Sequence, residues 1–236
     1  MRLNIVIPVF NEEHQLHGNM VRLHQFLKTM QNGMTWELVI ANNGSTDRTL
    51  EVATNFSRTH EHVRVIHIVE KGRGRALKEV WMKSDADILS YMDADLSSDL
   101  GAFPELIEAV ANGRFDVATG SRLLKPELTT RSMKREIASR CYNRLARTML
   151  RTQFSDAQCG FKAITREAAQ HLLPLVKDTG WFFDTELLFL AVRSGYRIWD
   201  MPVRWLEGSK SSVRLFPTVI EDLKGLWRLR KKPSTL

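Results

Sequence analysis

Apolar stretches of strand length recur through the first 120 residues, each followed by polar residues and then by a helical period. Residues 3–9 are rich in β-branched side chains and predict a buried strand. Asn11-Glu12-Glu13 then opens an amphipathic helix with apolar positions at Leu16, Met20, Leu23, Phe26, Leu27 and Met30. Residues 36–41 predict a second strand, ended by Asn42-Asn43-Gly44-Ser45. Ser45 or Thr46 is expected to cap the next helix, with Asp47 in its first turn. A third strand at 63–68 leads into Lys71-Gly72-Arg73-Gly74-Arg75 and a helix to about Ser84. Residues 88–92 form a fourth strand that runs directly into Asp93-Ala94-Asp95. A helix at 100–111 and a short strand at 116–120 follow.

Strands alternating with helices at this spacing predict βαβ units and a mostly parallel sheet. Right-handed crossovers place the loops after each strand on one edge, where open α/β sheets bind ligands. The segments 10–12, 42–44, 71–75 and 93–95 are therefore expected to meet in one cleft. There the glycines and positive charge of 71–75 suit an anion. Asp93 and Asp95 offer two hard oxygen donors to Mg²⁺ or Mn²⁺, which bind through one or two carboxylates and substrate phosphates. Taken alone, D-A-D is equally a strand-to-turn boundary. No strand is followed by G-x-G-x-x-G, which excludes the dinucleotide-binding pattern.

Beyond residue 120 the alternation weakens. Residues 123–131 read as a loop. A helix over 133–151 carries Met133, Ile137, Cys141, Leu145 and Met149 on one stripe and Arg140, Arg144, Arg147 and Arg151 on another. A short strand begins at Gly160, and Thr165 is expected to cap a helix to about Leu173. The segment 181–186 leads into an apolar helix at 187–192, and 196–206 reads as one or two strands interrupted at Pro202. The tail repeats the basic amphipathic theme, with Phe216, Val219, Ile220, Leu223 and Trp227 opposing Lys224, Arg228, Arg230, Lys231 and Lys232.

Charge changes this picture most. Residues 1–130 hold 14 Lys/Arg against 17 Asp/Glu, whereas 131–236 hold 20 against 10. An acidic half joined to a basic half implies a polyanionic partner on one side. Basic helices with Leu, Phe and Trp point to an anionic membrane surface, contacted through 133–151 and 215–232. Nucleic acid is the competing partner, but no helix-turn-helix, zinc or RNP signature supports it. The two cysteines, Cys141 and Cys159, form neither a metal spacing nor a disulfide framework, which suggests a cytoplasmic setting. No signal peptide and no run long enough to span a bilayer is visible. The expectation is a cytoplasmic protein, peripheral on a membrane's cytoplasmic face, with room for an anchoring partner. His14 and His17 read as helix surface.

With these residues in view, the chain resembles the inverting, metal-dependent, family 2-like glycosyltransferases of the GT-A fold, and among them the dolichyl- or polyprenyl-phosphate sugar synthases. The resemblance rests on P-V-F-N-E (8–12), N-N-G-S-T-D-R-T (42–49), K-G-R-G-R-A-L (71–77), D-A-D-L-S (93–97) and G-S-R (120–122). It continues through D-A-Q-C-G-F-K (156–162), W-F-F-D-T-E-L-L (181–188) and G-S-K (208–210). It implies one α/β domain, with residues 1–122 binding a nucleotide-diphosphate sugar and 123–236 binding the acceptor.

By this likeness Pro8, Phe10 and Glu12 border the nucleotide, Asn42 and Asn43 meet the base, and Arg73 approaches the base or diphosphate. Asp93 contacts ribose or metal, and Asp95 ligates Mg²⁺ or Mn²⁺. Arg122 and Arg131 hold the phosphate of a dolichyl or polyprenyl phosphate, and Lys210 clamps the diphosphate. Many relatives carry Asp-Asp where Asn42-Asn43 stands, which loosens the base preference. The implied reaction moves a hexose, glucose before mannose, with inversion. A phosphate nucleophile needs no strong base. Asp184 and Glu186 remain open between acting as a base for a hydroxyl acceptor and positioning the acceptor loop or capping a helix.

Overall fold

The computed structural model describes residues 1–30, 33–130, 132–206 and 215–231. Its centre is a seven-stranded sheet ordered β3-β2-β1-β4-β7-β5-β8. These strands are β1 (Arg2–Val9), β2 (Thr35–Asn43), β3 (Val63–Ile68), β4 (Ile88–Met92), β5 (Val117–Ser121), β7 (Phe161–Thr165) and β8 (Ile198–Pro202). The pairs β1/β2, β2/β3, β1/β4 and β5/β8 are parallel, whereas β7 runs antiparallel to both neighbours. Each of the five strands predicted before residue 121 is present, with ends within two residues of the expected ones. The pattern 123–131, expected as loop, contains the two-residue strand β6 (Thr129–Thr130), which pairs with β9 (Trp205–Leu206). A two-residue strand is too short to show a period of its own.

Strand order explains where a ligand goes. From β1 the chain steps outward to β2 and β3, then crosses back to place β4 on the other side of β1. The two loops leaving β1 and β4 therefore diverge, opening a crevice at their carboxyl ends. Because β7 is reversed, its beginning rather than its end lies on that edge. Met92 pairs with Phe161, and the Asp93 amide donates to the Gly160 carbonyl at 3.0 Å.

Helices cover both faces. On one, α1 (Leu16–Thr29), α2 (Thr49–Thr59) and α4 (Phe103–Ala111) bury Met20, Leu23, Phe56, Phe103 and Leu106 against Ile5, Ile7 and Leu38. On the other, α3 (Arg73–Lys83), α5 (Met133–Leu150), α6 (Arg166–Leu172), α7 (Phe183–Arg193) and α8 (Leu215–Arg230) enclose Trp81, Tyr91, Phe183 and Leu187. Residues after 123 supply two strands of this one sheet. No helix among the described residues is long and apolar enough to cross a membrane.

One local expectation is corrected. Neither Ser45 nor Thr46 caps α2: the Ser45 hydroxyl accepts from the Asn11 amide, and the Thr46 amide donates to Asn11 Oδ1. Asp47 Oδ1 takes the Thr49 amide instead. Thr165 does cap α6, accepting from the Ala168 amide. The exposed stripe on α5 is Met133, Ile137, Cys141 and Leu145, while Asn143, Ala146 and Leu150 pack inward. On α8, Asp222, Leu226 and Leu229 are buried, and Ile220, Leu223 and Trp227 face outward.

Candidate functional site

Asn11 leaves β1 in the left-handed region at φ 55°, which a short polar side chain tolerates by bonding locally. Its bonds to Ser45 and Thr46 tie the β1 and β2 loops together, and the Glu12 amide donates to Thr49 Oγ1 at 2.7 Å. Gly44, at φ 73°, lets the β2 loop pass the Val69 carbonyl, which a Cβ would approach to 2.9 Å. Asn43 closes the next contact, donating to the Val9 carbonyl and accepting from the Gly72 amide. Lys71 Nζ lies 3.8 Å above the Phe10 ring. The post-strand segments thus meet on one edge.

Some residues stand differently from expectation. Asn43 is clasped by protein backbone, so its amide does not present to a base. Asn42 is buried beside it; its Nδ2 meets His67 Nδ1 at 2.8 Å, and its Oδ1 has no hydrogen-bond partner among the described residues. Pro8 is buried inside β1, paired with Ala41, rather than at the crevice surface. Arg73 is the first residue of α3 and points inward. Its guanidinium bonds Asp184, Asp93 Oδ1 at 2.9 Å and the Tyr91 hydroxyl at 3.1 Å. Arg131 and Lys210 lie outside the described residues.

The partners of Arg73 form a buried charge cluster. Asp184 is wholly buried, accepts from the Tyr91 hydroxyl and lies 3.3 Å from Lys162 Nζ. Burial works against its charge, but Lys162 and Arg73 prevail and hold its carboxyl below the usual range. Lys162 also donates to the Ala157 and Cys159 carbonyls. Glu186 faces away, accepting from the Lys177 and Asp178 amides and pairing with Arg228 at 2.7 Å. Tyr91, Lys162 and Asp156 carried no role in the sequence, because nothing local marks a strand tyrosine or a motif lysine as ion partners across the fold.

Arg122 follows β5 on the same edge. Its Nε and Nη2 fork onto the buried carboxylate of Asp156 at 2.7 and 2.9 Å, and its amide joins them at 3.1 Å. Burial opposes both charges, yet the pairing holds Asp156 low and Arg122 fully protonated. Nη1 makes no hydrogen bond among the described residues, and the group stacks 5.8 Å from the Trp205 ring. This leaves one oriented donor direction for an anion.

Residues 4–173 match Glycosyl transferase family 2. The chain belongs to glycosyl transferase family 2. Glycosyltransferase AglD of Haloferax volcanii is 34% identical over 99% of this chain, which spans 38% of that relative's length. The dolichyl-phosphate beta-glucosyltransferase of Drosophila melanogaster is 30% identical over 97% of this chain and 78% of its own length. The Saccharomyces cerevisiae protein of that name is 29% identical over 97% and 74%. Glucosyl-3-phosphoglycerate synthase from Mycobacterium tuberculosis, solved with Mn²⁺, UDP and glucosyl-3-phosphoglycerate, superposes with a TM-score of 0.71 at 19% identity, over 98% of this chain and 81% of that one. The fold is GT-A, and the protein is a glycosyltransferase.

In this family 2 glycosyltransferase the crevice between β1 and β4 is rich in carboxylates. Glu12 is pushed up to about 7, first by burial and then by the charges of Asp95, Asp47 and Asp93. Asp93 is also raised, by its enclosure and by Asp95 and Asp184, against the pull of Arg73. Hard oxygens short of positive charge suit a divalent cation. Among the described residues no three such side chains are arranged to hold a metal alone. A site completed by substrate phosphates has that form.

Crowding of this kind has a measurable cost. The folded-state pKa of Glu12 lies above its ordinary 4.5, so stability falls as pH rises from about 4.5 through about 7. Glu12→Gln is expected to stabilise the metal-free protein by about 1–2 kcal/mol above pH 7 and to leave it unchanged below pH 4.5, where both forms are neutral. Urea melts of both proteins across that range check this; a constant difference would place the strain elsewhere.

Gly160 sets the position of Asp93. A Cβ there would stand 1.8 Å from Asp93 Oδ2, so the carboxylate occupies space that any other residue would fill. Gly160→Ala is expected to lower transfer by about a hundredfold by displacing Asp93, with a smaller loss of stability. Steady-state kinetics beside thermal melts separate the two effects.

Proposed function

We propose that this glycosyltransferase moves a hexosyl group, glucose in preference, from a nucleotide-diphosphate sugar such as UDP-glucose to a polyprenyl or dolichyl phosphate, with inversion. The observation that carries this is the pairing of opposite charges on one sheet edge: Asp93 and Asp95 after β4, and Arg122 after β5. The names of the Drosophila and yeast relatives support the acceptor, and the UDP complex of the mycobacterial enzyme supports the donor. Asn42 Oδ1, a buried acceptor with no hydrogen-bond partner among the described residues, would be satisfied by a pyrimidine N–H.

Asp95, with Asp93, would hold Mg²⁺ or Mn²⁺, which when bound neutralises charge developing on a diphosphate leaving group. Arg122 Nη1 orients the acceptor phosphate and offsets its repulsion from the donor. Lys210 and Arg131 are assigned supporting roles at the diphosphate and acceptor phosphate. Such an acceptor is already anionic near neutral pH, so no general base is required. Asp184 fits this scheme as an anchor for Arg73, and Glu186 as an anchor for the 177–180 loop.

The exposed apolar residues of α5 and α8 lie beside Arg140, Arg144, Arg147, Arg151, Lys224 and Lys231, and Lys231 Nζ stacks on Trp227 at 5.2 Å. Apolar side chains mixed with cations suit an anionic bilayer and give bases no specific contact, so the surface is assigned to lipid rather than nucleic acid. The protein would then work peripherally, on the cytoplasmic face of a membrane.

A panel of UDP- and GDP-sugars with a short polyprenyl phosphate and Mn²⁺, scored for lipid-linked product, tests the donor and acceptor together. Product from GDP-mannose alone would overturn the glucosyl assignment. Arg122→Ala is expected to raise the KM for polyprenyl phosphate at least tenfold, about 1.4 kcal/mol of binding, while leaving donor affinity nearly intact. An unchanged KM would remove Arg122 from the acceptor site.

A further inference from the structure

We propose that the 156–160 loop couples docking of α5 and α8 on an anionic bilayer to the catalytic edge, so that the enzyme is activated at the membrane interface. This rests on the membrane-surface assignment above.

Both helices grip this one loop from their inner faces. Asn143 on α5 is 1% exposed and accepts from the Ala157 amide at 2.9 Å. Asp222 on α8 is 3% exposed and accepts from Gln158 Nε2 at 2.8 Å. The other side of the loop carries the site. Asp156 forks Arg122, and Gly160 abuts the Asp93 carboxylate. One or two side chains therefore separate each membrane-facing helix from the residues assigned to donor and acceptor.

A second link runs through Arg228 and Glu186 to the Lys177 and Asp178 amides. The carbonyls of Thr179 and Gly180, next in that loop, accept from Arg75 and Gly74 at the start of α3. There Arg73 holds Asp93. Gly225 brings α8 so close to Phe182 that a Cβ would meet the ring at 2.5 Å. Movement of α8 is therefore felt by α7.

A bilayer changes the protein only if it favours one placement of the helices over another. α5 and α8 pack on each other, and each exposes its own apolar stripe. Meeting one flat surface demands a particular relative orientation of the two, and the loop they share must follow. In that seam Asp222 Oδ1 and Arg228 Nε are buried and make no hydrogen bond among the described residues.

The test uses the full chain, UDP-glucose and a short polyprenyl phosphate soluble in water. Phosphatidylcholine vesicles with and without phosphatidylglycerol, both lacking acceptor, are then added. Anionic vesicles are expected to raise wild-type kcat severalfold and to change hydrogen exchange in the 156–160 amides. Gln158→Ala and Asp222→Ala should float with vesicles like wild type, keep wild-type turnover without them, and lose both responses. Their double variant should lose no more than either single one. The proposal is overturned if vesicles leave wild-type kcat and exchange unchanged, or if the variants respond as wild type does. It is also overturned if both variants lose turnover in vesicle-free buffer, since the contact would then be structural only. Should no polyprenyl phosphate accept sugar, the function assigned above fails, and the exchange measurement alone decides the coupling.

Discussion

Replacing Asp95 by alanine is expected to reduce sugar transfer by about a thousandfold or more while the protein stays folded. The side chain stands just past the tip of β4, and Oδ1 accepts from the Ser97 amide at 3.0 Å. Losing that turn bond costs about 0.5–1.5 kcal/mol, so melting should shift by only a few degrees. The loss of transfer should come with a loss of Mn²⁺ binding, measurable by calorimetry in the presence of UDP. A chelator should reproduce the loss in the wild-type enzyme, and added Mn²⁺ should restore it. Transfer that survives chelation, or manganese found away from Asp95 in a donor-soaked crystal, would remove the cation from the reaction.

Asp184→Ala is expected to be the most destabilising of these substitutions, by about 3–5 kcal/mol. Arg73 and Lys162 are 9% and 1% exposed, and both lie against this carboxylate. Its removal takes the only carboxylate from buried Lys162 among the described residues, leaves Arg73 with Asp93 alone, and leaves the Tyr91 hydroxyl only the longer contact to the Cys159 carbonyl. Asp184→Asn, which keeps the shape and one acceptor oxygen, should cost less. Urea denaturation of both variants gives the numbers, and transfer to phosphate and hydroxyl acceptors gives the contrast. A stable Asp184→Ala that lost only hydroxyl-acceptor transfer would return this residue to the role of base.

Both expectations mark where local patterning stops. Asp95 was legible because an apolar run of strand length ended in D-A-D, and strand tips in an α/β sheet share an edge. Asp184 was not. Its partner Arg73 lies 111 residues away, and no spacing rule joins them. The same holds for Asp156 with Arg122, 34 residues apart, and for Asn143 with the Ala157 amide. Asn42 and Asn43 are adjacent and chemically identical, yet one is clasped by backbone and the other has an acceptor oxygen with no hydrogen bond among the described residues. Their surroundings come from β1, β3 and the start of α3, which the pair itself does not encode.

By itself the chain's order of apolar and polar residues determined the strands and helices, the edge on which the loops after the strands gather, and the carboxylates at the tip of β4. These follow from periods of two and 3.6 residues and from the handedness of crossovers, which act over short spans. Only the tertiary structure decided that β7 is reversed, bringing 156–160 to the edge where β4 ends. It also decided which charges neutralise one another and which apolar stripes of α5 and α8 face outward. Those outcomes depend on which distant elements become neighbours, and pairing of backbone, side chains and charge across such neighbours leaves no period along the chain.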